Sequence, residues 1–93
     1  MPSAKNRYPQ LFEFLAAWFA EADLEGRSDR AAIDAYRRVA NRAERAMVIR
    51  QGRALLASRP LPWRAMSDAA NRRFGNAEAA AAWLDGVLDA LER

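Results

Sequence analysis

Apolar residues recur at steps of three and four through most of this chain, and no stretch alternates with period two between turn signals. That is the periodicity of helices, so no strands are predicted. The richest stretch runs from Tyr8 to Gly26. Leu11, Phe14, Leu15, Trp18 and Ala22 share one stripe, and Phe12 and Phe19 lie beside it and widen it. Pro9 suits a first helical turn, where its missing N–H would have no partner, and Gly26 supplies the freedom to stop. A helix is therefore expected from Pro9 to Asp23. Ser28 is a fitting N-cap for a second helix, Asp29 to Val39, with Ala32, Ile33, Tyr36 and Val39 inward. Asn41 followed three residues later by Glu44 has the form of a capping box. A third helix is placed from Arg42 to Ala57, with one continuous helix to Ser58 as the alternative. Its inward positions are Val48, Gly52, Leu55 and Leu56, with Ile49 beside them. Gly52 costs helix stability but lets a neighbour approach closely.

Pro60 and Pro62 break the pattern, since neither fits a helix interior. Trp63 is expected to pack this loop onto the bundle. A short helix follows, starting at Trp63 or Ser67 and ending at Phe74, before Gly75. Asn76 then caps a last helix, Ala77 to Leu91, whose stripe of Ala80, Trp83, Leu84, Val87, Leu88 and Leu91 is the cleanest in the chain. Met1 to Arg7 reads as a loose polar arm. The fold expected is all-α, a compact bundle of four to five helices forming one domain over residues 1–93.

Composition narrows the chemistry. With no cysteine there is no disulfide, thiolate nucleophile or zinc–thiolate site, and with no histidine the usual neutral-pH base and commonest transition-metal ligand are missing. Catalysis would fall to carboxylates, Tyr8, Tyr36, Lys5 and arginines, and nothing groups them as a set. The four glycines are isolated, so no phosphate-cradling loop is present. Asp85 and Asp89, four apart, could be imagined around magnesium. With Glu92 they instead read as the solvent face of the last helix. No catalytic residue, metal or cofactor is expected. The N-terminus lacks an apolar signal region and no apolar run could span a membrane, which points to a soluble, cytoplasmic protein.

The net charge of +3 hides an uneven distribution. Residues 10–25 carry four acids and no base, whereas residues 27–64 carry ten arginines against Asp29, Asp34 and Glu44. Arginines on the second and third helices could meet phosphates in a helix–turn–helix arrangement. Arg42, Arg45 and Gln51 make a poor set of base readers, however, and the acidic first helix would repel the backbone. Nucleic-acid binding is thus the second reading: an arginine-rich helical nucleic-acid-binding or regulatory module.

The first reading comes from a resemblance. Tyr8-Pro9-x-Leu11, Phe14-Leu15, Trp18-Phe19 and Asp23-Leu24-Glu25-Gly26 resemble the opening of contact-dependent growth inhibition immunity proteins. The capped second helix with Ile33 and Tyr36, the break at Asn41-Arg42-Ala43-Glu44, Leu55-Leu56-Ala57, Phe74-Gly75 and Trp83-Leu84 follow in order. Glu21, Ala22 and Leu24 stand where that family tends to have a histidine or amide and a tryptophan. The resemblance implies a cytoplasmic protein that binds the C-terminal domain of a cognate toxin, often a nuclease, and blocks it without catalysis. In that setting Glu21, Asp23, Glu25 and Asp29 would face a basic toxin surface. Arg37 and neighbouring arginines would meet acidic flanks, with Tyr36 or Trp63 as a buried anchor.

Overall fold

The computed structural model of the chain describes residues 3–93, and they are all-α. Ser3 caps a single turn, α1 (Ala4–Arg7), its hydroxyl accepting from the Asn6 amide at 3.2 Å. The expected loose arm is therefore helical from Ala4, while Met1 and Pro2 lie outside the described residues.

The aromatic stretch forms one rod in three parts: α2 (Pro9–Phe14), a π-helical segment (Leu15–Ala20) and α3 (Glu21–Leu24). The widened turn corrects the expected stripe. In a π turn the hydrogen bond runs five residues on, so positions five apart come into line. Phe14 and Phe19 accordingly meet edge to face at 5.3 Å, and Phe19 is fully buried. Trp18, expected inward, moves to the rim and is only partly covered. The rod ends as its sequence requires. Gly26 takes φ 71°, Arg27 N–H donates to Ala22 and Gly26 N–H to Asp23, a Schellman closure.

The second and third long helices are separate: α4 (Asp29–Val39), capped by Ser28, and α5 (Arg42–Ala57), capped by Asn41. The box is complete, with Asn41 Oδ1 accepting from Glu44 N–H at 2.8 Å and Glu44 Oε1 accepting from Asn41 N–H at 3.1 Å. Ala32, Ile33 and Tyr36 are buried as expected, but Val39 is 67% exposed. The chain turns extended at Ala40, so the last residue of α4 projects past the π segment and the final helix on which α4 packs.

Next comes α6 (Trp63–Ala70), shorter than expected. Asn71, not Gly75, takes the left-handed stop, at φ 54°, and Arg72 N–H closes back on Ser67. Asparagine tolerates that conformation better than other non-glycine residues. Trp63 packs partly buried against the core, with the Arg64 guanidinium over its ring at 4.7 Å. Finally α7 (Ala77–Glu92), capped by Asn76, buries Ala80, Leu84, Val87, Leu88 and Leu91.

With the first rod counted once, the described residues form six helices, and the core runs through every one but α1. The largest helix contact is α5 on α7, where Gly52 meets Leu88. The start of α2 has no capping side chain of its own. Gln51 supplies one from α5: its Oε1 accepts from Leu11 N–H at 3.0 Å, and its Nε2 donates to Gln10. An orphan amide is thereby satisfied by a neighbouring helix, and Gln51 is held away from any base-reading role. Among the described residues no helix is long and apolar enough to cross a membrane.

Candidate functional site

The acidic corner closes on Arg72. Its Nε donates to Asp29 Oδ1 at 3.2 Å, a terminal nitrogen reaches the same oxygen, and the other terminal nitrogen lies 3.4 Å from Asp23 Oδ1. That second nitrogen also faces the carbonyls of Phe19, Ala70 and Asn71. Asp29 Oδ2 accepts the Trp83 indole N–H at 2.8 Å, and Asp23 Oδ2 accepts from Asn71 Nδ2 at 2.6 Å. One guanidinium, its side chain only 18% exposed, thus ties α3, α4 and the α6–α7 loop together. Removing it would leave Asp29 short of its main partner in a half-covered site. We expect Arg72→Met to lower unfolding free energy by about 2 kcal/mol, near the lower end for charge-assisted bonds because Asp29 keeps some water. Urea unfolding monitored by helix circular dichroism measures it; a midpoint within error of wild type would show the clamp to be idle.

The remaining acids of the corner face outward. Glu21 is exposed, and Glu25 makes only a 3.4 Å pair with exposed Arg27. Between them Leu24 is 80% exposed, the most solvent-facing large apolar side chain among the described residues. The sequence grouped Glu21, Asp23, Glu25 and Asp29 as one surface. The structure divides them into a clamped pair and a free pair.

Tyr36 is only 6% exposed, its ring against Phe14 at 4.5 Å and Trp18 at 5.5 Å. It stands at the back of a cleft of about 170 Å³ lined also by Gln10, Glu13, Ala17, Glu44 and Val48. Gln10, Glu13 and Ala17 follow one another at steps of three and four, so they share the face of the first rod that borders α5. Burial, then the Glu44 carboxylate, push the Tyr36 hydroxyl above its usual range, with Arg45 pulling it down.

Arg37 serves the fold. It donates to the Ala90 carbonyl at 3.2 Å and to the Arg93 carbonyl at 2.6 Å, placing positive charge on the last turn of α7. A guanidinium there both satisfies orphan carbonyls and complements the helix dipole. Arg53 is the counterpart on α5. Its Nε donates to Glu92 at 2.9 Å, and its terminal nitrogens to Asp85 at 2.5 Å and Asp89 at 3.0 Å. Hydrogen bonds to Glu92 and Asp85, then Asp89, raise the Arg53 pKa above its ordinary range. Those three acids, the imagined magnesium ligands, are engaged by one arginine, and no metal-binding cluster of acids occurs among the described residues.

Sequence reasoning missed Arg72, Glu13 and Glu44 as members of polar sites. Arg72 is 43 positions from Asp29, and no local pattern reports such a pairing. Glu13 is a single acid within an apolar stretch, and the Asn41 box accounts for Glu44 locally, so neither carries a pattern that points beyond its own helix. No protein-family model, curated protein or solved structure matches this chain.

Proposed function

We propose that this protein is a non-catalytic immunity protein that neutralises the C-terminal toxin domain of a contact-dependent growth inhibition system by binding it in the cytoplasm. The observation that carries the reading is the end of α3, where exposed Leu24 stands between unclamped Glu21 and Glu25. An apolar side chain rimmed by charge is the composition of a protein interface. Its negative sign suits the basic substrate cleft of a nuclease, where carboxylates take positions that expect phosphate. The strongest polar constellations, around Arg53, Arg72 and Arg37, hold helices together, and no catalytic set is assembled among the described residues.

The test is co-expression with the C-terminal domain encoded immediately upstream. Restored growth and co-purification of the two chains support the reading; an upstream domain that is harmless or unbound sinks it. Within the complex, Glu21→Gln with Glu25→Gln should slow association about tenfold at low salt, the gap closing as salt rises. Stopped-flow binding across a salt series checks this. Asp23 is left intact in that variant because it helps hold Arg72.

A second reading has its own observation. Arg30, Arg38, Arg42 and Arg50 are exposed on α4 and α5 and form no ion pair among the described residues. A phosphate-binding surface made of them would hold any DNA or RNA with an affinity falling steeply with salt. Absence of such binding at low salt removes this reading.

A further inference from the structure

The Tyr36 cleft combines three features that occur together nowhere else on the described surface. Its walls are aromatic, from Trp18 and Tyr36. Its rim is acidic, from Glu13 on α2 and Glu44 on α5, and neither carboxylate is within 4 Å of a basic side chain among the described residues. Its lining includes Tyr36, a residue more than nine-tenths buried whose hydroxyl makes no hydrogen bond among the described residues. That oxygen is not sealed in, because no fully enclosed polar side-chain atom among the described residues lacks a partner. It therefore keeps some contact with solvent, on a side chain that lines the cleft.

We propose that this cleft is a socket for an arginine side chain presented by the protein's binding partner. A guanidinium is flat, stacks on aromatic faces, and offers several N–H donors to carboxylates and to a hydroxyl oxygen at once. Glu13 and Glu44 supply the counter-charge, the partly exposed Trp18 ring the stacking surface, and the Tyr36 oxygen a further acceptor. The size decides between a side chain and a free ligand. About 170 Å³ is well under the roughly 300–1,000 Å³ of small-molecule pockets, but it accommodates one side-chain head group. Glu44 remains available because its cap uses only Oε1, leaving the second oxygen unengaged. This inference rests on the protein-binding reading for the identity of the partner.

The experiment titrates N-acetyl-arginine amide into the whole protein and follows the Trp18 indole and Tyr36 ring signals by NMR. Saturable shifts are expected with a Kd of about 1–10 mM, the range for one anchoring group alone. N-acetyl-lysine amide should bind more weakly, and the neutral isostere N-acetyl-citrulline amide should leave the signals in place. Glu13→Gln with Glu44→Gln should weaken arginine amide at least tenfold while keeping the cap, since glutamine serves at that position as well. Tyr36→Phe should weaken it several-fold with the aromatic walls intact. Equal shifts from citrulline amide, or arginine shifts indifferent to the glutamine pair, would overturn the socket. Growth rescue by the unmodified protein is read separately, so a silent cleft beside a working rescue rejects the socket alone. A binding cleft beside a failed rescue rejects the immunity reading alone.

Discussion

Phe19→Ala should lower the unfolding free energy by about 4 kcal/mol, whereas Trp18→Ala, one residue earlier, should lower it by no more than about 2 kcal/mol. Removal of a fully buried ring forfeits its transfer energy and leaves a cavity that the surroundings only partly fill. Phe19 is in that position: it is 0% exposed, edge to face with Phe14 at 5.3 Å and with Trp83 at 5.0 Å. Each aromatic pair adds roughly 0.5–1.5 kcal/mol beyond area burial. Trp18 keeps one ring contact of this kind, with Tyr36, and has solvent on its other side. On a regular α-helix the order would reverse, because Trp18 is on the stripe of Leu11, Phe14, Leu15 and Ala22, and Phe19 is beside it. Chemical unfolding of the two variants therefore reads the helix register directly. Equal losses, or a larger loss at Trp18, would mean that the π turn does not exist in solution.

That pair also marks where sequence reasoning reached its limit. The caps were legible, because Ser28, Asn41 and Asn76 act within three residues of themselves. So were the apolar faces of α5 and α7, whose helices keep one period throughout. The first rod was not, because its period changes within it. A stripe drawn at 3.6 residues per turn cannot show a register shift that aromatic packing from Tyr36 of α4 and Trp83 of α7 makes worthwhile. The end of α6 failed for a related reason. Gly75 is the usual stop signal, yet Asn71 takes it, where its amide can also reach Asp23. Both errors are cases of tertiary contacts choosing among local options that the chain holds open.

The polar sites divide on the same line. Sequence spacing placed Glu21, Asp23, Glu25 and Asp29 within nine residues, but their fates depend on Arg72, far along the chain. The rim formed by Glu13 and Glu44 crosses two helices, and neither residue stood out alone. Tyr36, expected as a buried anchor for a partner, packs instead into this chain's own aromatic cluster with Phe14 and Trp18, where it borders the cleft.

The second large effect is expected at Gly52, and its sign should depend on Leu88. A Cβ built on Gly52 would lie 2.6 and 2.8 Å from the two methyl carbons of Leu88 and 3.2 Å from its Cγ. Leu88 is itself fully buried, so it has little space to retreat into. A branched side chain at position 52 must push α5 and α7 apart along their main contact. We expect Gly52→Val to lower stability by about 3 kcal/mol, the upper range for overpacking a dense core. Gly52→Ala sets the clash of one methyl group against a helix-propensity gain of about 1 kcal/mol, and should still be net destabilising. In a Leu88→Ala background the obstructing methyls are gone. Gly52→Ala should there become stabilising by about 1 kcal/mol, because only the propensity gain remains. Four urea midpoints, for wild type, each single variant and the double variant, complete the cycle. Additivity within error would mean that the helices do not meet at Gly52 and Leu88, and that the glycine is tolerated on α5 for some other reason. A sign reversal would identify the missing side chain as the feature that lets α5 and α7 close. That closure also brings Arg53 within reach of Asp85, Asp89 and Glu92, so its loss should weaken the surface clamp together with the core.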